Sequence, residues 1–399
     1  MSTVELTLHL DGSPAPIEIM QALRRVQVER GDEAPDTFQL SFTLDRAAGS
    51  ADFDLLLLSQ LEPFKRVILE VSVESSPSVL FDGYITQQQL APSDQEPGTT
   101  LTVSGEDVSV KMGMFELSLE YPSMGDFLIC EAVLAKYLLV GITPSVTPTV
   151  TSVIPLDFVP QQNCTDRDYV KQLAAKNGYR FYIKPGPQVG SSTAYWGPPE
   201  YDATPQRALT VDMGPSTNVK SIQFSYNGMA PTMTYGAVQQ DFIPPIPIPV
   251  MAPSSTRSPE LSADPALGTY GGLVKDLLLD PLSIMSKILS LETRGSLFQH
   301  QGMGVISAQL LAQSQTNQST DDVVTVEGTL ETERYGEVID APGVIAVRGA
   351  GYRFNGLYYV KKVVHVMNTV QGNWAYEQKF TLSRDGSGST IEEVSDHDP

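Results

Sequence analysis

Cysteine is almost missing. Cys130 and Cys164 are the only two, and each lies in a stretch that reads as helical or as the approach to a helix. A disulfide framework is therefore not expected, and a reducing compartment is. No run approaches the roughly 18 apolar residues of a membrane-spanning helix, so direct membrane insertion is not expected. The first residues, Met1 to Gly12, show no basic region ahead of an apolar run, and no secretory leader is expected. Without that route the Asn163-Cys164-Thr165 sequon carries no meaning. Positive charge is scarce as well: 26 Lys and Arg stand against 47 Asp and Glu, a net charge of −21. Such a surface repels nucleic acid and anionic membranes, and the basic residues neither cluster nor interleave with aromatics. It suits solubility, an acidic channel wall or a basic partner.

The side chains of catalysis are also few. There are four histidines, His9, His300, His365 and His397. His9 and His365 fall within strand-like runs, His397 is close to the last residue, and His300 sits in a loop-like stretch. No Ser-His-Asp arrangement follows, and no pair of His or Cys has metal-ligand spacing. Gly268 to Gly272 lacks the Lys-Ser/Thr of a phosphate loop, and Gly349-Ala350-Gly351 does not complete a dinucleotide fingerprint. No catalytic, cofactor or metal site is expected.

What the chain does have is β-pattern. At 399 residues it is too long for one ordinary core, so two or three domains are expected. Its 31 Gly and 29 Pro suit many short strands joined by turns. The longest organised stretch is Val323 to Arg384, which reads as an antiparallel barrel or most of one. At its centre Asn355-Gly356 lies between two strand-like runs, a hairpin signal. Residues 1–110 read as a first barrel. Val4–Leu10 alternates, Ile17–Arg30 carries β-type runs, and Phe38, Leu40, Phe42 and Leu44 share one face. A helical turn is expected over Ala51–Leu58. Val67, Leu69, Val71 and Val73 share a face, Asp82-Gly83 reads as a second hairpin, and Thr100–Gly105 closes the set.

Residues 111–215 read as an inserted α/β domain. Helical spacing over Asp126–Val140 puts Phe127, Cys130, Leu134, Tyr137 and Leu138 on one face, with Gly141 as the stop. Thr165-Asp166-Arg167-Asp168 resembles a capping box, and the helix it opens stops at Asn177-Gly178 before a strand over Tyr179–Ile183. The second barrel is expected from 216–240 and 301–386. Between these parts, 241–300 reads as a Pro-rich arm followed by a helix with Ile284, Met285, Ile288 and Leu289 in one stripe. A further helix is expected over Val305–Gln315 with Ala308, Leu311 and Ala312 inward. The acidic tail, 387–399, reads as disordered.

Two places echo each other. Phe81-Asp82-Gly83-Tyr84-Ile85 is followed by Leu101 to Asp107, including Gly105. Phe354-Asn355-Gly356-Leu357-Tyr358 is followed by Phe380 to Gly386. If the echo is a duplication, one chain carries two versions of a barrel, with Gly83 and Gly356 at equivalent turns.

These motifs resemble the tail hub family of contractile injection machines: phage late control gene D proteins, hubs of long contractile phage tails and the N-terminal hub part of VgrG-type spikes. Phe81, Asp82, Gly83, Gly105 and Asp107 match its first-barrel pattern. Asp168, Leu173, Gly178 and Tyr179 are similar to its middle segment. Gly343 to Gly351, with Phe354, Asn355, Gly356, Tyr358, Val360 and His365, looks like its ending. Stretch 241–300 is longer than that pattern, and no lysozyme, peptidase or spike β-helix follows the second barrel. The resemblance implies a mainly β fold with an inserted α/β unit. It implies two similar tube-protein-like antiparallel β-barrels per chain and a homotrimer with pseudo-sixfold symmetry. The implied partners are a hexameric inner tube protein or tube initiator, a separate trimeric spike protein and other baseplate proteins. Assembly in the bacterial cytoplasm into a phage tail-like particle is implied too.

Two other classes stay open on the residues. Glu327, Glu331, Glu333 and Glu337 could supply the paired carboxylates of a glycoside or peptidoglycan hydrolase. Tyr195-Trp196-Gly197-Pro198-Pro199 could be the aromatic platform of a carbohydrate- or receptor-binding module.

Overall fold

The alternation in the N-terminal sequence closes into a wrapped sheet. The structure, a computed structural model, describes residues 4–44, 59–74, 76–93, 98–149, 159–240, 246–267, 294–298 and 305–390. Strand β1 (Val4–Leu10) pairs with the short β2 (Ser13–Pro14), and helix α1 (Ile17–Ala22) follows. Then come β3 (Leu23–Gly31), β4 (Thr37–Leu44), β5 (Arg66–Val73), β6 (Ser76–Ala91) and β7 (Thr99–Asp107). The inward-phase residues of β1, β3, β4, β5, β6 and β7 share one core, with Leu8, Val26, Phe42, Val71 and Val103 buried in it. Alternation at period two is what puts them on one face.

The inserted unit comprises β8 (Glu116–Glu120), α2 (Asp126–Ala135), β9 (Ile142–Val146), β10 (Gln161–Thr165), α3 (Asp166–Asn177), β11 (Arg180–Pro185) and β12 (Ser192–Gly197). Its core gathers Ile129, Cys130, Val133, Tyr169, Val170 and Trp196. The capping expected at Thr165 is present: its hydroxyl accepts from the Asp168 amide and donates to the Asp168 carboxylate, while Gly178 ends α3 in the left-handed region at φ 68°.

The chain continues with β13 (Gln206–Thr210), β14 (Ser221–Tyr226), β15 (Thr232–Gln240), β16 (Ile246–Ala252), β17 (Ser262–Pro265) and β18 (Arg294–Phe298). It ends with α4 (Val305–Thr320), β19 (Val324–Glu331), α5 (Thr332–Tyr335), β20 (Gly343–Arg348), β21 (Gly356–Val370), β22 (Asn373–Arg384) and β23 (Gly386–Ser389). Strands β13, β14 and β19 to β22 enclose a second core around Val326, Leu330, Ile345, Val360 and Phe380. The sheet β16-β15-β18 carries α4 on its face, with Ala308 and Ala312 buried against Val238 and Val250.

The two barrels are copies in topology. The first runs β3-β4-β7-β6-β5-β1 and the second β14-β19-β22-β21-β20-β13. Numbered by sequence within each barrel, both orders read 2-3-6-5-4-1. One direction differs: β1 lies antiparallel to β5, whereas β13 lies parallel to β20. Both fifth strands carry a register irregularity against the sixth, after Ile85 in β6 and after Val360 in β21. That shared irregularity makes Ile85 equivalent to Val360 and Tyr84 to Tyr359. Gly356 then falls opposite Phe81, two residues out of step with Gly83. The sequence echo joined the right strands in the wrong register.

The fold corrects other expectations. Ile17–Ala22 is helical, not β, because Pro16 opens a turn that drops Ile19, fully buried, into the first core. Asp82-Gly83 is no hairpin; it lies inside β6, where Gly83 faces Val67 and Asp107. The turn comes earlier, beside Glu74 at φ 52°. Asn355-Gly356 closes a longer connection between Arg348 and the start of β21. In the insert, Leu138 is exposed, while Ile129 and Val133 take the buried positions. The Pro-rich stretch is the edge strand β16, not an irregular arm: Pro247 and Pro249, two apart, place their missing donors on the same side, away from β15. The expected tail begins as β23, paired with β17. Buried Arg384 holds it there by donating to the carbonyls of Arg353, Asn355, Gly386 and Gly388. The expected turn at 51–58, the helix carrying Ile284 to Leu289, Gly268–Gly272, His300 and His397 lie outside the described residues.

Two glycines are required by close approach. A Cβ on Gly83 would meet the Glu106 carbonyl and come within 2.6 Å of the Phe81 ring; one on Gly105 would meet the Tyr84 carbonyl and the Phe38 ring at 2.6 Å. The two rings pack on each other with centroids 4.9 Å apart. Gly83→Ala and Gly105→Ala should each cost about 1–3 kcal/mol by overpacking. Gly228→Ala, whose nearest neighbour would be 3.6 Å away, should leave the denaturation midpoint nearly unchanged. Urea unfolding of the three variants checks the contrast.

Candidate functional site

The most heavily built region is the seam where the two barrels and the insert meet. Strand β21 is long enough to serve both barrels. Its first half pairs with β20, and its second half, Lys362 to Asn368, pairs antiparallel with β3. One 13-stranded sheet results. Met367 and Tyr376, from the second barrel's strands, complete the first barrel's core.

Charged residues sit in this seam at inward positions. Arg30 follows Val26 and Val28 in phase along β3 and is buried. Its Nη1 reaches Asp340 Oδ1 at 2.8 Å, and its Nε donates to Asp36 Oδ2 at 3.4 Å. Asp340 also meets Lys184 of the insert at 2.9 Å. Burial pushes Asp36 well up from the usual carboxylate range and raises Asp107 as well. At Asp340 burial acts the same way, but Arg30 and Lys184 outweigh it and hold the carboxyl below its ordinary value.

A second cluster centres on Asp321, at the end of α4. Its carboxylate accepts from Arg257 through two bonds of 2.9 and 2.8 Å, from Arg180 at 3.1 Å and from the Tyr201 hydroxyl at 3.0 Å. Arg180 Nε lies 3.1 Å from Asp32 Oδ2, an ion pair rather than an aligned hydrogen bond, and Tyr359 donates to the same oxygen at 3.0 Å. Both barrels, the insert and α4 thus converge on one bidentate Arg–carboxylate centre, the strong geometry for such pairs.

The residues singled out in the sequence are joints rather than a cluster. Asp82 is buried, accepts from Nε and Nη2 of Arg66 at 2.8 and 2.7 Å and accepts from the Ser192 hydroxyl at 3.1 Å, tying the first barrel to the insert. Asp107 accepts from the Asp36 and Ser109 amides, both at 2.7 Å. Asp168 caps α3, Leu173 fills the insert core, and Tyr179 stands edge-on to Trp196. Gly178 lies against Ser314 of α4 and accepts from Arg257. Phe81 and Val360 are core residues of their barrels. Phe354 packs on Phe224 at 5.1 Å, Asn355 accepts from the Ala350 amide, Gly356 starts β21 at φ 124°, and Tyr358 donates to the Phe354 carbonyl.

His365 is fully buried where β21 meets β3. Its Nδ1 lies 2.8 Å from the Tyr376 hydroxyl, and Nε2 has no partner. Burial first, then the Arg30 charge, lower its pKa to about 3. The other described histidine, His9, meets Glu70 at 3.4 Å. Neither ring is bonded to a Ser, Thr or Cys among the described residues.

The other candidate sites are reshaped. Glu327, Glu331, Glu333 and Glu337 are all exposed. Trp196 is fully buried and Tyr195 stacks on Tyr182, so the aromatic run forms no exposed platform. Among the described residues no group of three or more His, Cys, Asp or Glu could hold a metal ion. Two open troughs of mixed lining, of about 250 and 440 Å³, lie on the equivalent strands β3-β4-β7-β6 and β14-β19-β22-β21.

Sequence reasoning passed over Arg30, Arg180, Arg257, Asp321 and Arg384. A signal existed for two of them. Arg30 and Arg384 occupy the inward phase of otherwise apolar strands, a place that demands a buried partner.

One family matches by sequence, described as the Alg8 N-terminal domain, over residues 1–194 of 399, just under half of the chain. No curated protein sequence matches. The fold is shared with solved structures at low identity. A tail protein from Neisseria meningitidis MC58 is 11% identical at a TM-score of 0.61, covering 96% of this chain and 97% of its own. The 43 kDa tail protein of prophage MuSo2 from Shewanella oneidensis is 11% identical at 0.62, covering 96% and 99%. An E. coli component of the type VI secretion system, described as similar to the T4 bacteriophage tail proteins gp27 and gp5, is 12% identical at 0.55, covering 94% and 76%.

Asp321→Ala would leave the Arg257 and Arg180 guanidinium groups buried without their shared carboxylate, and should cost about 3–5 kcal/mol in chemical denaturation. His365 gives a pH signature. The unfolded ring takes a proton near pH 6.5, the folded one only near 3, so stability present above 6.5 is lost as pH falls through that window. Wild type should lose up to about 1.4 kcal/mol per pH unit relative to His365→Gln between pH 6.5 and 4. Equal slopes in the two proteins would contradict a buried neutral ring.

Proposed function

We propose that this chain is a structural baseplate hub of a contractile injection system or contractile phage tail, acting without catalysis. On this reading it adapts a hexameric inner tube to a trimeric central spike carried by a separate protein. The observation that carries the proposal is the duplicated six-stranded unit. Two barrels of one connectivity in one chain let three chains offer six near-equivalent units, so a threefold object can meet a sixfold one.

The joints fit such a role. A part that transmits force between tube and spike needs its two barrels fixed relative to each other. The shared sheet and the Asp321 centre supply that stiffness. The division into a first barrel, an α/β insert and a second barrel belongs to the same reading, as do contacts with a tube initiator and other baseplate proteins. The charge of −21 would make a ring's inner wall acidic, so anionic cargo passes without adhering. Assembly takes place in the bacterial cytoplasm before the particle is complete. The shared fold with two tail proteins and a type VI secretion component supports this class over the hydrolase and the binding module.

The purified chain, of 43.4 kDa, should give three times that mass in light scattering. It should also co-elute with the inner tube protein and the spike protein of its own system when the three are produced together. A chain that stays monomeric and binds neither would overturn the hub reading.

A further inference from the structure

The seam inside the chain is a template for a seam between chains. Within one chain, the second strand of the first barrel, β3, pairs with the distal half of the fifth strand of the second barrel, β21. The equivalents of those two strands are β14 and the distal half of β6. Both are unpaired on the corresponding side among the described residues: β14 ends the sheet path, and residues 87–91 of β6 pair only with β7.

We infer that β14 of one copy pairs antiparallel with the distal half of β6 in the next copy, in the register of the internal seam. This rests on the ring reading above and supplies its contact. The register follows from the shared irregularity. His365 is equivalent to Leu90, and the paired rows β4–β7 and β19–β22 make Val28 equivalent to Phe224. His365 faces Val28 in the internal seam, so Leu90 faces Phe224 of the next copy and Gln89 faces Ser225.

Exposure supports the pairing. His365 and Arg30, inside the internal seam, are 0% and 3% exposed; their equivalents at the open edges, Leu90 and Tyr226, are 39% and 40% exposed. Composition supports it too. Residues 85–91, Ile-Thr-Gln-Gln-Gln-Leu-Ala, and residues 221–226, Ser-Ile-Gln-Phe-Ser-Tyr, contain no charged residue and no proline in a chain of net charge −21. Solvent-facing edges are ordinarily guarded by charge, proline or covering elements. Edges kept neutral and unguarded are made to be paired. The contact is head-to-tail, one edge type meeting a different one, so repetition through a rotation closes a ring.

Four double variants at exposed positions test the pairing without disturbing either core. Gln89→Lys with Ser225→Lys places like charges opposite each other, and the trimer mass should fall to that of a monomer. Gln89→Lys with Ser225→Glu should restore it. In a Cys164→Ser background, Gln89→Cys with Ser225→Cys should form an oxidised ladder up to a trimer, whereas Gln89→Cys with Ser221→Cys, out of register, should not. A trimeric wild type whose mass ignores the paired lysines and whose matched cysteines do not cross-link would overturn this pairing and leave the ring standing. A wild type that stays monomeric as its concentration is raised would overturn both.

Discussion

The pairing of β3 with the second half of β21 is the contact on which the remaining architecture depends. Without it there would be two barrels on a long tether. With it there is one sheet, and strands of the second barrel complete the core of the first through Met367 and Tyr376. Backbone ladders are directional and periodic, so this contact sets the relative placement of the barrels to within one register. It also buries His365 and Arg30, which no single barrel would need to bury.

Charge burial is the cost of that rigidity, and the structure meets it locally. Each buried guanidinium has a carboxylate or a set of carbonyls: Arg30 has Asp340 and Asp36, Arg257 has Asp321, and Arg384 has four backbone oxygens. Burying ion pairs adds little net stability compared with apolar packing, but a broken pair is costly, so such centres penalise every arrangement except one. Such a property suits the structural role proposed above. The joints lie between units of the chain rather than at a cleft, which is why the motif residues do not converge on an active-site geometry.

Much of the fold was legible in the sequence. Alternation identified β1, β4 and β5 and their inward faces, because a strand with one buried side has a period of two. Thr165 and Gly178 marked both ends of α3, because a cap is chemistry local to a few residues. Asp82-Gly83 misled, because a dipeptide that favours a turn is equally useful where a strand must pass under a ring and a carboxylate must meet Arg66. Ile17–Ala22 misled because burial of Ile19 overrode a β-type composition. The Pro-rich run was read as irregular because its partner strand, β15, cannot be inferred from prolines alone.

The sequence alone determined the inward faces of β1, β4 and β5, the caps of α3 and the acidic net charge, since each depends on composition or on neighbours a few residues apart. Its echo around Gly83 and Gly356 raised the expectation of two related units, in a register that the strand pairing does not keep. Only the tertiary structure decided which strands are equivalent, that β21 serves both barrels, and that Asp321 gathers side chains from three parts of the chain. Those facts are pairings between segments far apart in the chain, and pairing depends on which partner offers the complementary edge or charge. Local pattern carries no record of that choice.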